Sequence, residues 1–395
     1  MPVPALTRFL HLTILTAAVL VFSFVSIVPY AFGAAEDLVT LYMPAFEGQE
    51  ALGKNVATIL NLEIWQTLRK APTPNPKKLN FGRGLVVWDT QTLREQNFRT
   101  AEEFSREGVK ISSGERVYPQ LVLWGKARRF GDGVVIESFL TIPPSFAPSA
   151  VTRDQWVITT PLRGSAMTVV ADLPRRRYEF SPIGLDNNLV QRYTAPNALT
   201  IYDLQTGGKP IGTVGVKFEA REHRGTSVVV ESKGIVGLVH LPGLSRNEVV
   251  DFVGGIIRIF RGDWHGANGL FQRVLRNPST PSSLKVDALL YQVFAKSKAG
   301  LDSEDEIKQV QVLAPYSRSK VVYSVMARLE RLSRVLQTRG FDHADRPLID
   351  HIQDELAQNH ALFSPDDPWL VTVTALLNDL SKEHHLQQNS PFRTN

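Results

Sequence analysis

The run Gly262-Asp263-Trp264, followed by Ala267, Phe271, Leu275 and Pro278, restricts the fold more tightly than any other stretch of the chain. Before it, Val249, Phe252-Val253, Ile256-Ile257 and Phe260 recur at helical spacing and mark one apolar face. Leu244-Ser245 sets a serine three residues ahead of Glu248, the reciprocal cap that opens a helix. Arg261-Gly262-Asp263 then breaks the stripe with a turn, and Trp264, Ala267, Phe271 and Val274-Leu275 resume it. Gly254-Gly255 supply the close approach that paired helices need. The pattern predicts a helical hairpin, and a hairpin alone cannot bury both faces, so neighbours are required. Amphipathic segments at 284–299, 304–313, 319–336, 348–360 and 369–382 supply them.

Across that hairpin, Gly255, Gly262, Asp263, Trp264, Ala267, Phe271, Leu275 and Pro278 resemble the tetratricopeptide consensus over one repeat. The resemblance implies a helical-repeat array over 245–386 that binds protein partners, followed by a tail at 387–395. Trp264 and Phe271 are expected to pack in its core, since their positions face the partner helix.

Arg8 precedes an apolar run at 9–32, and small residues follow at Ala31, Gly33, Ala34 and Ala35. That order is the pattern of an export signal over 1–35, with an uncleaved membrane anchor at 9–32 as the alternative. The whole chain has 43% hydrophobic and 21% charged residues, which are values of a globular protein. With no cysteine, disulfides, thiolate metal sites and cysteine nucleophiles are excluded together. A net charge of +5 is scattered over 44 basic and 39 acidic residues, which argues against a nucleic-acid stripe. Only Arg175-Arg176-Arg177 is compact, and its setting after Leu173-Pro174 is that of a turn.

Residues 36–150 read as βαβαββ: strands around 39–46 and 85–88, helices at 51–68 and 100–107, and a hairpin turning at Phe130-Gly131-Asp132-Gly133. Leu41-Tyr42-Met43-Pro44-Ala45-Phe46, the helix at 55–68 and Gln120-Leu121-Val122-Leu123-Trp124-Gly125-Lys126-Ala127 resemble the amino-terminal α/β domain of TolB and of CsgG-like secretion proteins. That resemblance implies an assembly domain of the bacterial envelope. Residues 151–244 are strand-rich, punctuated by Gly184, Asp186-Asn187-Asn188 and Pro196-Asn197. Their second half, with Gly207-Gly208 as a turn and Gly234-Ile235-Val236-Gly237-Leu238-Val239 as a closing strand, resembles a bacterial SH3-like barrel. Leu238 stands where that family usually has tryptophan. The resemblance implies contact with peptidoglycan or peptides, or a spacer. The fold class expected is therefore multidomain α+β: an α/β domain, a β-rich domain with an SH3-like barrel, and a helical-repeat array.

No two histidines stand at the zinc spacing with a glutamate between them, and His384-His385 point to different helix faces. Gly164-Ser165-Ala166 lacks the second glycine of a nucleophile elbow. Gly131-Asp132-Gly133 has no phosphate-loop lysine, and Asp366-Asp367 between prolines suit a helix N-terminus. The sequence points to no catalytic residue, no cofactor and no metal. It points to a non-enzymatic exported or periplasmic adaptor with protein partners in the envelope. A peptidoglycan binder acting through the SH3-like region is the alternative, and a hydrolase of unrecognised family the second. Nucleic acid is not an expected partner, and a membrane would be met only through an uncleaved 9–32.

Overall fold

The computed structural model describes residues 39, 41–48, 50–70, 86–92, 109–110, 116–117, 119–144, 154–162, 165–194, 199–214, 218–224, 227–240, 248–340 and 342–388. The signal at 1–35, the helix at 100–107 and the Ser245 cap lie outside the described residues.

Apolar runs of four to eight residues with few helix formers become strands, and the first of them organises a mixed sheet. Strand β1 (Leu41–Ala45) pairs in parallel with β2 (Val86–Thr92), Leu41 opposite Val86, and with β5 (Leu121–Phe130), Leu41 opposite Leu121. Two short strands, β3 (Val109–Lys110) and β4 (Arg116–Val117), pair with each other. The turn Gly131-Asp132 folds β5 back onto β6 (Gly133–Thr141) in antiparallel register. Strand β6 then takes β9 (Arg177–Glu179) and β10 (Ile183–Leu185) on its far edge, giving the order β10-β6-β5-β1-β2 with β9 also on β6. Between them in sequence, β7 (Gln155–Leu162) and β8 (Ser165–Asp172) pair only with each other and form a two-stranded ribbon.

Helix α1 (Glu50–Lys70) is buried or half-buried at every residue from Leu52 to Leu68, the polar Asn61, Glu63 and Gln66 included. A helix of that kind needs cover all round. It packs on β1 beneath and on α3 (Glu248–Phe260) above. Helix α2 (Asn187–Thr194) stands where the Asp186-Asn187-Asn188 cluster suggests a break in a strand-rich region. The Asp186 carbonyl accepts from the Val190 amide, so those residues start a helix, a role short polar side chains also fill.

The second sheet runs β12-β11-β15-β14-β13, from β11 (Thr200–Tyr202), β12 (Pro210–Thr213), β13 (Phe218–Arg224), β14 (Ser227–Ser232) and β15 (Ile235–His240), with every pairing antiparallel. Asp203 organises the turn between β11 and β12 by accepting from the amides of Gln205, Thr206 and Lys209. Hydrogen bonds led by the Thr206 hydroxyl hold its carboxyl down at about 2.

From residue 248 onward the chain is helical: α3, α4 (Trp264–Arg276), α5 (Ser282–Ala299), α6 (Glu304–Leu313), α7 (Arg318–Arg339), α8 (Arg346–Gln358) and α9 (Pro368–Gln388). Successive helices pack on each other. Asp367, expected at a helix start, accepts from the Trp369 and Leu370 amides and pairs with Arg318. Buried Glu355 of α8 accepts from Ser324 and Arg328 of α7, and Arg328 also reaches Glu304 of α6. One buried cluster runs from Val39, just before the first strand, to Leu380 in the last helix, and the described residues from Val39 onward belong to one compact unit. Among the described residues no helix is long and apolar enough to cross a membrane.

Candidate functional site: the helical face and its cleft

Each residue of the helical signature has a physical task. Gly255 must lack a side chain, since a Cβ there would lie 2.7 Å from the Phe271 ring. Gly262 turns the chain at φ +71°, where a side chain would be strained. Asp263 caps α4 by accepting from the Gly266 amide at 3.0 Å and pairs with buried Arg258, which also donates to the Leu68 carbonyl of α1. Burial pulls the Arg258 guanidinium down, and Asp263 opposes that pull. Ala267 and Phe271 are fully buried, Trp264 and Leu275 half-buried, and Pro278 exposed after the helix end.

The two aromatic residues of the signature reach outward through α5. Phe271 stacks on Tyr291 at 5.2 Å, and the Tyr291 hydroxyl shares a 2.7 Å hydrogen bond with Tyr178 of β9. Trp264 packs on Phe294 at 5.5 Å, and Phe294 also packs on Trp156 of the ribbon, at 4.8 Å. Burial raises both Tyr178 and Tyr291 well above the usual phenol range, so both stay neutral hydrogen-bonding groups.

The β7–β8 ribbon lies across α5 and α7. Trp156 is fully buried there, edge-on to Tyr323 at 5.5 Å, with its indole donating to Glu330 at 3.0 Å. Lys298 donates to the Val157 carbonyl, while Ser333 and Gln337 donate to the Thr159 carbonyl. Tyr323 donates to the Asp172 carbonyl. The helical face thus holds an extended segment by an aromatic anchor and by main-chain carbonyls, the two devices of peptide recognition. Nothing in the spacing of residues 155–172 foretells this contact, since Trp156 reads as one apolar residue of a short strand.

Beside the ribbon, the turn before β9, the first turns of α5 and the corner between α6 and α7 enclose a cleft of about 250 Å3. Val286, Leu290 and Leu313 form its apolar wall. Its charged lining is one pair, Arg175 with its side chain 51% exposed and Asp287 at 4%, with Nε and Oδ2 3.3 Å apart. Burial raises the Asp287 carboxyl to about 7, and Arg175 works against that rise. At the rim, Val312 is 80% exposed, Leu313 47% and Tyr316 87%.

The other arginines of the basic run go elsewhere: Arg176 pairs with Asp154 at 2.8 Å, and the Arg177 guanidinium lies over the Trp124 and Phe139 rings. Among the described residues no group of three or more His, Asp or Glu side chains is arranged to hold a metal ion. Asp287 was open to detection, because it shares a helical stripe with Leu284, Ala288 and Tyr291, an acid on a buried face. Its partner Arg175, 112 residues earlier, carried no such signal. Compared with known proteins, the chain matches no family model, no curated protein and no solved structure.

Proposed function

We propose that the chain is an exported, non-enzymatic adaptor of the bacterial cell envelope, which holds protein partners through its tetratricopeptide-like helical region. The observation that carries the reading is the α6–α7 corner, where Val312, Leu313 and Tyr316 stand exposed on a rigid helical frame. Large apolar side chains clustered in solvent mark an interaction surface. The ribbon supports the same reading, since this helical region already fixes one extended segment of its own chain through carbonyls and an aromatic anchor. The export pattern at 1–35 supplies the location in this reading, with the anchor at 9–32 as its alternative.

The test is crosslinking of the tagged full chain in its native envelope, set beside a Val312→Glu, Tyr316→Ser variant. Both positions are exposed, so the substitutions leave the fold intact. Reproducible protein partners lost in the variant are the expected result. Equal recovery from both, or enrichment of cell-wall fragments in place of proteins, overturns the reading.

A further inference from the structure

The cleft beside that corner has a chemistry of its own. Its charged lining consists of Arg175 and Asp287, with the Arg175 Nε 3.3 Å from the Asp287 Oδ2. Four titratable or charged groups face Asp287: Arg175 from the turn before β9, Tyr178 from β9, Tyr291 from α5 and Tyr323 from α7. The three phenols are pushed upward by burial and stay neutral, and the guanidinium stays charged. With its pKa at about 7, Asp287 balances only part of that charge at neutral pH. The lining therefore carries a net positive charge that grows as the pH falls.

Size and wall narrow the occupant further. A volume of about 250 Å3 lies below the roughly 300–1,000 Å3 of pockets that hold large organic ligands. Val286, Leu290 and Leu313 offer a branched aliphatic group an apolar surface, and four serines, Ser282, Ser283, Ser317 and Ser319, also line the cleft. We propose that this cleft binds a small carboxylate with an apolar body, its carboxylate on Arg175 and its aliphatic part against Val286, Leu290 and Leu313. On binding, Arg175 turns from Asp287 to the ligand and Asp287 takes up a proton, so no buried carboxylate is left without a counter-charge.

Isocaproate, its neutral amide and L-leucine, each titrated calorimetrically into the purified chain, test the proposal. Isocaproate binds saturably, and the amide binds about tenfold or more weakly, as expected when one charge-assisted contact is lost. Arg175→Gln, a change at a half-exposed side chain, produces a similar loss. Because the ligand-competent form carries the Asp287 proton, isocaproate affinity falls about tenfold between about pH 6 and pH 8. Asp287→Asn abolishes that dependence while binding persists. L-leucine separates two sources of this chemistry: binding as tight as isocaproate assigns the cleft to an amino acid, and weaker binding to a simple acid. Absence of saturable isocaproate binding, equal affinity for the amide, or affinity unmoved by Arg175→Gln overturns the proposal. No partner is needed in these titrations, so their failure leaves the adaptor reading standing, and failure of the crosslinking test leaves the cleft standing.

Discussion

Replacing Asp287 by asparagine stabilises the protein, and the gain grows with pH. In the folded chain burial raises this carboxyl to about 7, whereas the unfolded chain holds it near its usual value of 3.8. Between those values the unfolded state releases the proton and the folded state keeps it, so the folded state loses stability as pH rises. The penalty is absent below the unfolded value and fully developed above the folded one. A difference of about 3 pH units at about 1.4 kcal/mol each sets a ceiling of about 4 kcal/mol above pH 7. At about pH 5 the same linkage leaves about 1.7 kcal/mol. Asparagine keeps the shape and does not titrate, and the attraction of Arg175 for the ionised carboxylate is already contained in the folded-state value of about 7, so what asparagine changes besides is a hydrogen-bonding offset independent of pH. The quantity to measure is therefore the change of the variant's advantage, about 2–3 kcal/mol between about pH 5 and pH 8. Urea unfolding of wild type and variant side by side, followed by tryptophan fluorescence across that range, reads it. Parallel curves would show that Asp287 is solvated in the folded state, and the account of the cleft's charge would fall with it.

The glycine of the signature gives a paired test by thermal unfolding. Gly255→Ala forces a methyl against the Phe271 ring and costs about 1–2 kcal/mol net, overpacking outweighing the gain in helix propensity. Gly269→Ala, on the exposed face of α4 with nothing within 4 Å, stabilises by about 0.5–1 kcal/mol, and the same sign at both positions would refute the packing argument. Trp156→Ala removes the ribbon's anchor, costing about 3–5 kcal/mol and raising hydrogen exchange across 155–172 ahead of the helices. Exchange unchanged in the ribbon would mean that its carbonyl contacts alone hold it.

The helices were legible because their apolar stripes are strong and uninterrupted. The stripe from Val249 to Phe260 and the segments at 284–299 and 304–313 appear as α3, α5 and α6 with ends shifted by at most two residues. Strand existence was legible too, from alternation and from turns such as Gly131-Asp132 and Gly207-Gly208. Pairing was not. That β9 and β10 extend the edge of β6, and that β7–β8 join no other strand, depends on register across long stretches of chain, which local patterns do not encode. Helix α2 was hidden for a different reason, since aspartate and asparagine favour turns and helix starts alike.

The candidate site divides along the same line. Trp264 and Phe271 are placed by helical spacing, so their burial follows from the stripe they stand on. Each is also the first member of an aromatic chain that leaves the hairpin: Phe271 to Tyr291 to Tyr178, and Trp264 to Phe294 to Trp156. Both chains pass through α5, and both end on the β segments at 154–180 that bring Arg175 to Asp287. The helix that supplies the cleft's acid is therefore the helix that the signature hairpin and the ribbon hold from opposite sides. Burial of Asp287 on that helix is what raises its pKa. The pairing of Arg175 with Asp287 is invisible to any local pattern, because the signature supplies the support and a distant turn supplies the charge.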